Sequence, residues 1–319
     1  MRGFTCAAAA AAIGCATIVP GFAADLATKA PAKPLVLSPW DIAFGAGLMS
    51  DYNFRGITQS NHKPSVSAYF EPRYNINANL QAYAGVSGES ISFPNRAAAE
   101  VDFYAGIRPT FDKLALDFGF WEYYYPGGEC FNKDVDGQCA LDGNIPLSGN
   151  LIGNTIKADL SFYELYGKGT YTVNDQFSFG GSVYWSPSVL NSGASGTYVA
   201  GTAKYTLPNV LPHDIGWFAS ADVGNWFLGT TDAFYGNIKL PSYTNWDLGV
   251  AFTWKQFTLD LRYYDTNLSK GDCNAFTGDQ TATGMSNVTA INPNGAGSNW
   301  CGASFIAKLS VDLTAANLK

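Results

Sequence analysis

"KLALDFGFWEYYYPGG", residues 113–128, is the stretch on which the fold turns. Leu114, Leu116, Phe118 and Phe120 share one parity, and Ala115, Asp117 and Gly119 share the other. Alternation with a period of two marks a β-strand with unlike faces. In a soluble sandwich the Leu/Phe row is the core. In a membrane barrel it faces lipid, and Asp117 looks into the lumen.

The same alternation recurs from Trp40 to the C-terminus. Trp40, Ile42, Phe44, Ala46 and Leu48 form one such row, as do Val66, Ala68, Phe70, Pro72 and Tyr74. Further rows are Val101–Ile107, Phe177–Trp185, Trp246–Trp254, Phe257–Tyr263 and Phe305–Val311. With the runs near 79–89, 156–173, 196–207 and 214–226, they predict about twelve strands. Many are long enough to cross a bilayer at a tilt, about 9–11 residues. Connections at 75–79, 110–113, 173–176, 208–213 and 255–256 are short. Those at 57–64, 90–98, 126–155, 187–195, 227–241 and 267–302 are longer, and short alternates with long throughout. A membrane barrel with short periplasmic turns and long extracellular loops sorts its connections this way. The expectation is an all-β fold: one antiparallel transmembrane β-barrel of about twelve strands. No helical periodicity is visible. Trp40, Tyr52, Trp185, Trp217, Trp246 and Trp254 are expected outside, in aromatic girdles.

Composition agrees. Charged residues make up 14% of the 319-residue chain and aromatics 15%, with 34 Gly. Soluble domains carry about 25% charged residues. A mean hydropathy of −0.03 is too polar for a helical membrane protein. The net charge of −7 excludes nucleic acid as a natural partner, because phosphate contacts need a basic surface.

Residues 1–24 read as a signal peptide: Arg2, an Ala-rich apolar run, then Gly21 and Ala23 framing a cleavage site. Residues 25–39 read as a Pro/Ala-rich periplasmic tail, and 40–319 as the barrel. The chain is therefore expected in the outer membrane of a Gram-negative bacterium. Its expected partners are outer-membrane lipid and lipopolysaccharide, small solutes or ions, and the barrel-assembly machinery. Past the leader, Cys130, Cys139, Cys273 and Cys301 remain. Four cysteines in an exported chain suggest disulfides. Cys130–Cys139 and Cys273–Cys301 would each close one loop.

Parity places the pore-lining candidates: Arg55, Glu71, Arg73, Glu100, Asp102, Arg108, Asp117, Glu164, Asp247, Asp260, Arg262 and Lys308. Inward acids, Glu89 and Asp222 among them, outnumber inward bases, which favours cations in an open pore. Pairs such as Glu71/Arg73 and Asp260/Arg262 could equally plug the lumen with salt bridges. Arg55 is expected near the external rim, where it could gate the mouth or, the preferred reading, anchor a loop through hydrogen bonds to carbonyls. Asp134 and Asp136 would contact the pore if loop 126–155 folded inward. No catalytic set is expected: His62, with Ser60 and Ser65 nearby, is the faintest resemblance to a hydrolytic cluster. No cofactor, phosphate loop or metal cluster is expected.

The segment "SDYNFRGITQSNHKPSVSAYFEP" (50–72) carries the pattern S-x-Y-x-F-R-G-x-x-Q, followed by Pro64 and a second strand. It resembles the TorF porin family of proteobacteria, and the resemblance continues through "AEVDFYAGIRPTF", "LDFGFWEYYYPGG", "FYELYGKGTYTV" and "WDLGVAFTW". The family implies an outer-membrane β-barrel and no catalytic residues. Two features depart from it: the cysteine-bearing loops 126–155 and 267–302, and an end, "LTAANLK", without a terminal aromatic.

Overall fold

The computed structural model describes residues 39–129, 156–208, 211–282 and 295–315, with 286, 288 and 292. The signal peptide, most of the tail, Cys130, Cys139, Asp134 and Asp136 lie outside the described residues.

The strands are β1 (Trp40–Met49), β2 (Asn53–Phe54), β3 (Ile57–Thr58), β4 (Ser65–Asn77), β5 (Leu80–Glu89), β6 (Glu100–Phe111) and β7 (Leu114–Tyr124). They continue as β8 (Phe162–Thr172), β9 (Phe177–Ser186), β10 (Gly196–Thr206), β11 (Gly216–Leu228), β12 (Tyr243–Trp254), β13 (Phe257–Thr266) and β14 (Ser304–Thr314). All but β2 and β3 form one closed antiparallel barrel of 12 strands, each paired with its sequence neighbour, and β1 closes the ring against β14. Closure removes the unpaired sheet edges that an open sheet would expose. The short turns gather at one rim and the long loops at the other, as the connection lengths imply.

The opening question resolves on β7. Phe118 is 46% exposed on the outer wall, while Asp117 is 2% exposed inside. Leu248 at 61%, Phe305 at 67% and Val66 at 56% repeat the pattern around the barrel. The inward row of β7 is not merely small and acidic, however. Trp121 and Tyr123 follow Asp117 on it, both buried.

Glycine makes room for these inward rings. Gly119 sits on the inner wall beneath Tyr166, and a Cβ there would come within 2.6 Å of the tyrosine hydroxyl and of the Ala105 carbonyl. The outward Gly181 has nothing nearer than 3.4 Å.

Three expectations are corrected. Tyr52 is not in an outer girdle: it is buried, its hydroxyl donating to Glu100 Oε1 at 2.6 Å. Trp40, Trp185, Trp246 and Trp254 do face outward, as does Trp217, part-buried because it stacks on Phe252, and it donates to the Pro208 carbonyl. The long loop before β14 contains a helix, α1 (Lys270–Thr277). Ser269 caps its start by accepting from the Asp272 amide, and Gly278 ends it in the left-handed region at φ 63°. At eight residues, with loop composition around it, it is too short to show a period. The Cys273–Cys301 disulfide ties this helix to the start of the return to β14. Finally, β2 and β3 form a hairpin outside the ladder, which takes up Arg55 and the start of the connection expected at 57–64.

Gly119→Val should destabilise the folded barrel by about 1–3 kcal/mol, the usual cost of overpacking. Gly181→Val should be near neutral. Guanidinium unfolding of both variants in detergent checks the pair.

Candidate functional site: the lumen

The inward hairpin carries the family-like motif. Arg55 at φ 50° and Gly56 at φ 83° form a two-residue turn with both φ values positive, the geometry that suits a tight hairpin. Asn53 Oδ1 accepts from the Gly56 amide at 2.9 Å and fixes the turn. Gly56 is required for space as well: a Cβ would lie 2.2 Å from Thr266 Cγ2. At the hairpin's base, Asp51 Oδ1 accepts from both the Thr58 and Ser60 hydroxyls, and the Gln59 amide returns to the Tyr52 carbonyl at 2.6 Å. Motif positions Ser50, Tyr52, Phe54, Arg55, Gly56 and Gln59 thus build one folded unit.

Its tip crosses the barrel to the opposite wall. Arg55 makes a two-pronged ion pair with Glu164 on β8, Nη1 to Oε1 at 2.7 Å and Nη2 to Oε2 at 2.8 Å. The two side chains are 3% and 0% exposed. The rings of Phe54, Tyr184, Tyr198 and Trp226 surround the guanidinium, with centroids 4.2–4.9 Å from Cζ. Tyr123 donates to Glu164 Oε2 at 3.1 Å, and Tyr243 donates to the Arg55 carbonyl at 3.1 Å. A dry charge needs a charged partner and full hydrogen bonding, and aromatic faces add cation–π attraction. The expectation that Arg55 grips loop carbonyls at the rim is corrected: it is a buried cross-lumen strut.

The other candidates fall into separate groups. Glu71, Arg73, Arg108 and Asp117 come together on β4, β6 and β7. Arg108 spans Glu71 at 2.8 and 3.1 Å and Asp117 at 3.4 Å, and Arg73 Nε reaches Glu71 Oε1 at 2.5 Å. Tyr83 donates to Asp117 Oδ1 at 2.5 Å and meets Tyr166 hydroxyl to hydroxyl. Asp247, Asp260 and Arg262 form a second group, with Arg262 reaching Asp247 at 2.5 Å and Asp260 at 3.0 Å. Lys308 stands opposite Asp260 in the β13–β14 register. Glu100 and Asp102 lie behind Tyr52, away from both groups in the hydrogen-bond pattern.

What sequence reasoning missed is the aromatic filling. Tyr184, Tyr198, Trp226 and Tyr243 are 1–7% exposed inside the barrel. A signal existed: all four sit on inward parity, toward the long-loop ends of their strands. Beside the hairpin, Phe54, Ile57, Phe93, Phe276 and Trp300 line a small apolar pocket.

His62 is held by a clasp at the hairpin's exit. Its Nδ1 meets Asp51 Oδ2 at 2.9 Å and its Nε2 faces the Asn299 carbonyl at 3.2 Å. Ser60 bonds Asp51 and the Lys63 carbonyl. So the neighbours of both ring nitrogens are a carboxylate and a carbonyl, not a serine hydroxyl. The hydrogen bond to Asp51 raises the His62 pKa above 6.5, outweighing partial burial. A raised folded-state pKa gives stability that is complete below the unfolded value and is lost as pH rises through the folded one.

The chain is similar to several solved structures. One is a NanC porin, at 9% identity and a TM-score of 0.44, covering 85% of this chain and 100% of that one. Another is the COG4313 outer membrane channel from Pseudomonas putida F1, at 10% identity and 0.41, covering 86% and 95%. A third is OmpT, an outer membrane protein of Vibrio cholerae, at 12% identity and 0.35, covering 86% and 96%. No curated protein matches the chain.

Two outcomes test the site. Arg55→Ala should cost about 3–5 kcal/mol in chemical unfolding, because Glu164 is left buried and charged, and the double change Arg55→Met with Glu164→Leu should recover much of it. Amide protection at 58–62, corrected for intrinsic exchange, should weaken from pH 6 to 8, and His62→Gln should flatten that dependence.

A family model described as "Bacterial protein of unknown function (Gcw_chp)" matches residues 34–292, so the chain, with its inward hairpin and charged lumen, belongs to the Gcw_chp family of bacterial proteins.

Proposed function

We propose that this chain is an outer-membrane, porin-like channel for small hydrophilic solutes, held in a low-conductance state by the β2–β3 hairpin. The observation that carries the reading is the sidedness of a closed barrel, apolar rows outside and charged rows inside. A large exposed apolar band on a soluble protein would be an aggregation hazard, whereas in a bilayer it is the lipid contact. The motif resemblance to TorF porins points the same way. Lipopolysaccharide around the barrel and the assembly machinery that inserts it are the partners this reading entails.

Conduction then follows the charged walls, the Glu71–Arg108–Asp117 group on one side and the Asp247–Asp260–Arg262 group on the other. Acids outnumber bases on the inward parity, so the path favours cations weakly. A second reading, a self-plugged barrel serving structure or surface contact, is favoured by the Arg55–Glu164 strut itself, because a buried two-pronged pair is costly to open.

Planar-bilayer recordings separate the two. Wild type should show small, infrequent openings. Arg55→Ala, if folded, should show larger and longer ones, with a reversal potential toward the cation. Silence in both Arg55→Ala and Glu164→Ala barrels of verified fold would leave the structural reading standing. A reversal toward the anion would remove the cation preference.

A further inference from the structure

Outside the strut and the two charge groups, one cluster has no evident balance. Glu89 ends β5, while Glu100 and Asp102 open β6 beside it, and Glu89 is paired with Glu100 in register. One carboxylate oxygen from each of the three lies within 4.8 Å of the others. All three residues are only 2–3% exposed.

The hydrogen bonding is lopsided. Glu100 accepts from Tyr52 at 2.6 Å and from Tyr125 at 2.8 Å, and Asp102 Oδ2 accepts from Ser87 at 3.0 Å. Both oxygens of Glu89 are buried with no hydrogen-bond partner, and the buried Trp121 indole N–H stands beside Asp102. Ser67 Oγ, on the residue opposite Glu89 across β4–β5, is likewise unpartnered. Buried acceptors without donors are rare in folded proteins and call for an explanation. Lys308 is near enough for its charge to act on Glu89, but one ammonium does not balance three carboxylates. One oxygen of each carboxylate thus faces the same small volume, where a positive group would balance them.

We propose that Glu89, Glu100 and Asp102 form a calcium site behind the hairpin. All donors are oxygens, the set that hard divalent cations take, and none is the sulfur or imidazole that zinc and copper favour. Coordination preference separates calcium from magnesium: calcium accepts a flexible shell of carboxylates, two-pronged ones included, whereas magnesium demands a near-ideal octahedron and keeps several waters. Glu89, with both oxygens open, can bind in two-pronged fashion, Glu100 and Asp102 supply one oxygen each, and water completes the six to eight ligands calcium takes. Tyr52 belongs to the hairpin unit and bonds Glu100 directly. The ion therefore stiffens the hairpin's base from below, whether or not the lumen conducts. Sequence reading expected no metal cluster because the acids lie on two strands and meet only through register.

Terbium is the probe, a calcium-sized hard ion whose emission tyrosine sensitises. The mature chain refolded in detergent should show tyrosine-excited terbium emission, displaced by calcium but at least tenfold less readily by magnesium. Glu89→Gln and Asp102→Asn should lower the terbium affinity at least tenfold, with fold checked by circular dichroism and heat-modifiable gel migration. Should either variant not fold, the thermal midpoint of wild type decides: calcium should raise it and a chelator should reverse the shift. Emission that calcium cannot displace, equal emission in the variants, or a midpoint indifferent to calcium would overturn the site, leaving the carboxylates to share protons.

Discussion

Closure of the β-ladder is the constraint from which the rest follows. Once β1 pairs with β14, every barrel residue points either in or out. A strand's side chains alternate strictly, so a register slip by one residue would turn Asp117 and Glu164 outward and Phe118 and Leu165 inward. Such a slip is prohibitive wherever one face meets hydrocarbon, because a polar group left there has no partner. The apolar rows and the charged rows therefore enforce one register together.

The inside then has its own problem. A barrel of this size leaves a lumen that must be filled or wet. Here tyrosines lie over glycines of neighbouring strands, charges cross-link the walls, and a hairpin from the first long loop reaches across to Glu164. The tip residue, Arg55, is the most demanding choice for such a place. It is tolerated because Glu164, four rings and the Tyr123 and Tyr243 hydroxyls are arranged around it. That arrangement gives the plug a unique docked position rather than a merely greasy fit.

Much of this was legible in the sequence, for a physical reason. Period-two patterning and loop-length alternation are local properties, so strand number, order and sidedness could be read from rows such as Trp246–Trp254. Parity also puts Glu71, Arg108, Asp117 and Arg262 on the rows that the barrel turns from its apolar outer wall. What could not be read is whatever depends on a meeting across the lumen. Nothing near Arg55 in sequence names Glu164, and nothing near Tyr52 names Glu100, so parity alone puts Tyr52 in an outer ring and Arg55 at the rim. The S-x-Y-x-F-R-G-x-x-Q motif marked the segment as special without saying that it turns inward. The short helix α1 escaped notice because two turns amid Asn, Gly and Asp carry no usable period.

The most direct test of the sidedness is tryptophan quenching by brominated lipid. Two variants, one keeping only Trp246 and one keeping only Trp226, are refolded into bilayers that carry bromine in the acyl chains. Trp246 is 38% exposed on the outer wall, while Trp226 is 1% exposed beside Arg55. The account predicts strong quenching of Trp246 and almost none of Trp226. Equal quenching of both, or quenching of Trp226 alone, would contradict it.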